Sequence, residues 1–129
     1  MGLELKARII NGGEFEGEVL ASKKPISFYG GVDPGTGVIK DKESDIDGEC
    51  IAGKVLVFPF GKGSTVGPYV IYQLSKNGRA PLAMINQECE TIVAVGCIIS
   101  DIPALDKVDV SIFKTGDEVS GKDGKITKA

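Results

Sequence analysis

Five consecutive residues, Gly61-Lys62-Gly63-Ser64-Thr65, carry the residue types best suited to chemistry on an anionic ligand. Glycines let the backbone approach a ligand closely, lysine adds a mobile positive charge, and two hydroxyls follow. Upstream, Lys54 to Phe60 is an almost unbroken apolar run rich in β-branched residues, the pattern of a strand buried on both faces and ended by Pro59. Downstream, Val66, Val70, Ile71 and Leu74 recur at helical spacing as far as Lys76, and Asn77-Gly78 supplies the stop. The loop is therefore expected at a strand-to-helix junction. There, unpaired N–H groups and the positive end of the helix dipole favour an anion. Ser64 and Thr65 are placed either to cap the helix or to face a ligand.

The loop matches none of the common phosphate or nucleophile signatures. G-x-x-x-x-G-K-[ST] is absent, Val66 stands where G-x-G-x-x-G needs its third glycine, and Ser64 follows Gly63 too closely for G-x-S-x-G. The chain also has no histidine, so a histidine-dependent triad is excluded within it. A serine hydroxyl is a poor base unless amides and cations hold its alkoxide in a water-poor site. With no activating base evident in its own chain, Ser64 points to an active site completed by a second chain. Cys50, Cys89 and Cys97 are odd in number and lack C-x-x-C spacing, so they read as buried structural thiols and not as a metal site.

The elements that must position this loop follow from the rest of the 129 residues. Leu3 to Ile10 and Phe15 to Leu20 alternate as half-buried strands, and Ile26 to Tyr29 is a short apolar run closed by Gly30-Gly31. Asp33-Pro34-Gly35-Thr36-Gly37 is a turn, and Asp41 to Cys50 reads as loop. Leu82 to Ile85 is a second buried strand. Glu90 to Ile99 fits strand or helix, and the spacing of Ala94, Val95 and Ile98 favours helix. Pro103 opens a loop, and Thr115 to Thr127 forms a hairpin about Asp123-Gly124. This pattern predicts one α/β domain over residues 1–129, with mixed sheets and helices packed on one side. A net charge of −3, with no basic run, argues against nucleic acid or an anionic membrane as partner. The absence of a signal-peptide pattern or a bilayer-length apolar stretch leads to the expectation of a cytoplasmic protein.

The run Gly61 to Leu74, with Gly30 to Gly37 before it and Asn77-Gly78-Arg79-Ala80-Pro81 after it, resembles the small subunits of aconitase X enzymes. Within that family it is most similar to the archaeal phosphomevalonate dehydratase branch. The resemblance extends from about Gly17 to Lys114 and implies a swivelling β/β/α domain like the mobile domain of aconitase. It also implies a large partner subunit carrying a 4Fe-4S cluster on its own cysteines, whose open iron would act as Lewis acid on the leaving hydroxyl. The implied reaction is loss of water from (R)-5-phosphomevalonate, giving trans-anhydromevalonate 5-phosphate for isoprenoid synthesis. Ser64 matches the family's proton acceptor, and Lys62, Gly63 and Thr65 are then candidates for binding the substrate. Asp33 and Thr36 match as well, with a turn role expected. The chain departs from the family at Pro68, where serine is frequent, and lacks a His-Pro pair near Ser44 to Gly48. A hydroxyproline-type dehydratase and a stand-alone phosphate-binding or regulatory module are the competing readings.

Overall fold

The computed structural model describes residues 2–129. The strands are β1 (Leu3–Lys6), β2 (Arg8–Asn11), β3 (Phe15–Ala21), β4 (Ile26–Ser27), β5 (Val55–Phe58), β6 (Gly61–Lys62), β7 (Ala83–Asn86), β8 (Ala104–Asp106), β9 (Glu118–Lys122) and β10 (Lys125–Lys128). Two α-helices, α1 (Gly67–Lys76) and α2 (Thr91–Ser100), follow β6 and β7, and a 3-10 turn spans Val110–Ile112.

Eight strands hydrogen-bond in the order β1-β10-β9-β3-β5-β7-β8-β2. β3, β5, β7 and β8 run parallel, and the outer pairings are antiparallel. The two edge strands, β1 and β2, are consecutive in the chain, separated by Ala7 alone. The strand expected from Leu3 to Ile10 is thus split. Its first half pairs with β10 and its second with β8, and the Ala7 N–H donates to the Gly124 carbonyl at 2.8 Å. β3 is divided in the same way: Phe15 to Glu18 pair with β9, and Val19 to Ala21 with β5. The order therefore folds into two facing sheets, joined at one margin through β3 and at the other through the continuous β1–β2 segment.

Strand alternation assigns the two faces of the central sheet to separate cores. Val55 and Val57 of β5, with Ala83 and Ile85 of β7, pack toward Phe15, Val19, Val119 and Ile126 of the second sheet. Leu56 and Phe58, with Met84, face the helices through Ile71, Leu74, Val93 and Cys97. This double burial explains why β5 is an unbroken apolar run in sequence.

Both helices lie on one side of the sheet and run parallel to each other. Gly67 meets Ile92, Gly96 meets Ile71, and the Ser75 hydroxyl donates to the Ser100 carbonyl at 3.5 Å, a constant offset along the pair. The two helix N-termini consequently open on the same rim of the domain. The helical preference for Glu90 to Ile99 holds. Glu90 caps α2 through its carboxylate, which accepts the Ile92 and Val93 N–H groups at 2.8 and 2.9 Å. The loop expected after Pro103 is instead the buried strand β8, too short to show a period. Among the described residues no helix is long and apolar enough to cross a membrane.

Candidate functional site

The Gly61–Thr65 segment leaves β5 and turns into α1. Its first two residues form β6, a short parallel pairing with β4 that sets Ile26 opposite Gly61 and Ser27 opposite Lys62. Phe28 and Phe58, in edge-to-face contact with ring centroids 5.9 Å apart, lie buried beneath this junction.

Two close approaches explain the two glycines. A Cβ at Gly61 would lie 2.5 Å from Val93 Cγ2 and 2.6 Å from Glu90 Oε1, so the loop presses on the start of α2. Gly63 has φ +96°, and a Cβ there would lie 2.5 Å from Ser27 Oγ. Ser27 is held in turn, its hydroxyl donating to the Tyr29 carbonyl at 3.2 Å.

Ser64 is half-buried, and its Oγ accepts the Val66 N–H at 3.2 Å while its carbonyl accepts the Gly67 N–H at 3.0 Å. These bonds close a local turn ahead of the helix. Val66 occupies the cap position of α1 without a side-chain bond, so of the two roles open to Ser64 and Thr65, capping the helix is the one the structure removes. Pro68 sits in the first turn, where its missing N–H costs nothing. Among the described residues, the N–H groups of Gly63, Ser64 and Thr65 donate to no protein acceptor. These three successive amides lie just ahead of the cap of α1. Thr65 is exposed beside them.

Lys62 is exposed and lines a polar cleft of about 420 Å³ with Lys24, Pro25 and Asp41 to Ser44. Two larger clefts, of about 790 and 520 Å³, include no residue of the loop, so cleft size does not locate the site. Around the loop, Tyr29, Phe60, Val66 and Tyr69 form an uncovered apolar rim, with Tyr69 62% exposed.

Of the predicted site residues, Lys62, Gly63, Ser64 and Thr65 stand together at this junction. Asp33 does not join them. Its carboxylate accepts the Gly35 N–H at 2.8 Å and pairs with Lys40 at 3.5 Å, and that backbone bond holds its carboxyl below the usual range. It is a turn residue, tied to the far end of α1 through the Asn77 amide, which donates to the Pro34 carbonyl at 2.8 Å. The thiols are not uniformly buried. Cys97 is buried, Cys89 half-buried and Cys50 exposed, because Cys50 lies on the 38–50 turn outside the sheets. Burial pushes the Cys89 thiol up to about 12, with Asp106 and Glu90 adding to it, and burial raises Cys97 too. Sequence reasoning missed Ser27, which the β4–β6 pairing sets opposite Lys62, and Lys24 and Lys42, which share a cleft with that lysine. It also missed the contact of Glu90 with the loop, although Glu90 was legible as a helix start.

The model of the aconitase X swivel domain matches residues 4–128. The chain is 65% identical over 117 residues to the phosphomevalonate dehydratase small subunit of Thermococcus kodakarensis, covering 91% of this chain and 88% of that one. It is 61% identical to the subunit of the same name from Thermococcus onnurineus, covering 93% and 92%. In structure it is similar to the crystal structure of T. kodakaraensis aconitase X in its holo form, with a TM-score of 0.97, 60% identity and 98% of each chain covered.

Proposed function

This chain belongs to the aconitase X swivel-domain family, and from that premise we propose that it is the small subunit of a phosphomevalonate dehydratase. The enzyme would remove water from (R)-5-phosphomevalonate to give trans-anhydromevalonate 5-phosphate, as part of cytoplasmic isoprenoid synthesis. The names of relatives 65 and 61% identical support that substrate.

The observation that carries the reading is the incompleteness of the site. Ser64 lies beside three free amides and an uncovered apolar rim, in a chain with no histidine. A large aconitase-like subunit, seated on the rim, would exclude water and supply the missing half. Ser64 then accepts the proton from the carbon next to the substrate carboxylate. Charge developing on that carboxylate is stabilised by the amides of Gly63, Ser64 and Thr65, with Lys62 adding a positive charge nearby. Partner closure raises the strength of each of these interactions by lowering the local dielectric.

The residues of this chain do not fit an iron–sulfur cluster. Cys97 is in the core, the Cys89 thiol is held protonated, and among the described residues no three potential ligands converge. A cluster belongs, in this reading, to the large subunit's own cysteines.

Co-expression with a cysteine-bearing aconitase-like subunit should give a stable brown complex that dehydrates phosphomevalonate. In that complex, Ser64→Ala should keep assembly and the cluster spectrum while turnover falls by about a hundredfold or more. Two chains that fail to associate would remove the subunit reading, and near-normal turnover in the variant would remove the role given to Ser64.

A further inference from the structure

The cleft beside Lys62 is lined by three segments that are distant in sequence. The β4–β6 pairing sets Ser27 opposite Lys62, the segment before β4 brings Lys24 and Pro25 to the same cleft, and the turn from Asp41 to Ser44 supplies the third wall with Lys42. That turn is fixed by its own polar groups. The Asp47 carboxylate accepts the Asp41 N–H at 2.9 Å, Asp41 Oδ1 accepts the Glu43 N–H at 3.0 Å, and Ser44 Oγ accepts the Ile46 N–H at 3.1 Å. Lys24 Nζ donates to the Glu43 carbonyl at 3.0 Å, which holds it against the turn. Among the described residues, none of Lys24, Lys42 and Lys62 forms an ion pair, although Asp41 and Glu43 share the cleft. Three lysines thus share the cleft with the carboxylates of Asp41 and Glu43, in a chain of net charge −3.

We propose that this cleft is a phosphate-monoester subsite, in which Lys24 and Lys42 join Lys62 to hold the phosphate end of the substrate whose proton Ser64 takes. The proposal rests on the reading of Ser64 given above and extends it to residues in two other segments. Ammonium groups act as mobile point charges and suit a compact dianion approached from several sides. The planar fork of arginine, which suits a carboxylate, is absent from the cleft. The Cα atoms of Lys62 and Ser64 lie at most about 7 Å apart along an extended chain. A short phosphorylated hydroxy acid spans a comparable distance between its reacting carbon and its phosphorus. The same contacts would discriminate against a dephosphorylated analogue.

The test uses the assembled complex and two probes, phosphomevalonate as substrate and inorganic phosphate as competitor. In Lys24→Gln/Lys42→Gln, the KM for phosphomevalonate should rise by about tenfold or more, and the inhibition constant for inorganic phosphate should rise in parallel. Lys6→Gln/Lys114→Gln removes the same charge at exposed positions outside the cleft and should leave both values within about twofold. Lys24→Arg/Lys42→Arg should recover part of the loss. Unchanged values in the Lys24/Lys42 glutamine variant, or an equal rise in the control, would overturn the subsite. Should the wild-type complex not turn over phosphomevalonate, the functional reading fails by itself. A phosphorus NMR titration with inorganic phosphate then decides the cleft: binding lost in the Lys24/Lys42 glutamine variant alone supports it, and binding equal in both overturns it.

Discussion

Gly63 combines a left-handed backbone angle, φ +96°, with a neighbour that leaves no room for a Cβ. Moving the Ser27 hydroxyl would relieve the contact but not the angle. Gly63→Ala should therefore lower stability by about 1–2 kcal/mol in urea unfolding, and Gly63→Ala/Ser27→Ala should recover little of it. A full recovery in the double variant would show that the contact, and not the backbone angle, sets the requirement. Asp106 illustrates a different constraint. Its side chain is fully buried, accepts two bonds from the Arg8 guanidinium at 2.8 Å, and accepts the Cys89 N–H at 2.8 Å. Burial pushes its carboxyl up, but the Arg8 bond and the Cys89 amide more than offset this, so it titrates below the ordinary value of 3.8. A depressed folded value contributes stability that is complete above the unfolded value and is lost as pH falls through the folded one. Stability should accordingly hold above about pH 5 and decline below pH 4. Asp106→Asn should flatten that acid limb and cost about 1–3 kcal/mol at pH 7, measured by denaturation across pH. An acid limb of unchanged steepness in the variant would assign the decline to other carboxylates.

At the scale of elements, the parallel helices turn packing into site geometry. Ile71 fills the notch at Gly96, where a Cβ would lie 2.5 Å from Ile71 Cδ1 and 2.9 Å from Ile71 Cβ. Gly96→Ala should cost about 1–3 kcal/mol and, by shifting α1, reduce turnover of the complex although the substitution lies outside the loop. Ile71→Val, which removes Cδ1 but keeps Cβ, should restore part of the stability in the double variant. Simple addition of the two single effects would mean that the helices relax independently. Elements with a local signature were legible in the chain: the doubly buried β5, the amphipathic α1, and the β9–β10 hairpin, whose Asp123-Gly124 turn has φ +53° and +79°. The division of the first strand at Ala7 was not, because both halves share one alternation and differ in partners far along the chain. β8, β4 and β6 are too short for any period to appear. The same reason divides the site. The loop at Ser64 is contiguous, whereas Lys24 and Lys42 each look like an ordinary solvated lysine until the fold gathers their segments with Lys62 around one cleft.

Over the whole molecule, the apolar side chains left uncovered are not scattered evenly. Tyr29, Phe60, Val66 and Tyr69 surround the loop, and Val95, Ile98 and Ile99 form a ridge on the outer face of α2. The packing of Ile92 on Gly67 places the start of that ridge next to the rim. Contiguous apolar surface beside a polar site marks a surface that meets another protein. In the proposed function the large subunit would be its occupant, because the reaction needs that subunit within reach of the loop. Aromatic side chains at the centre of such a patch carry a large share of the binding energy. Tyr69→Glu places a charge there without touching the core, since the side chain is exposed and the buried face of α1 is made by Val70, Ile71 and Leu74. The variant should keep the circular dichroism spectrum and thermal midpoint of the chain while weakening its association with the large subunit by about 2 kcal/mol or more, read by titration calorimetry. Lys114→Glu, which adds negative charge at an exposed site outside the rim, should associate normally. Equal affinity for the Tyr69 variant would place the interface elsewhere, and the ridge on α2 would be the next surface to substitute.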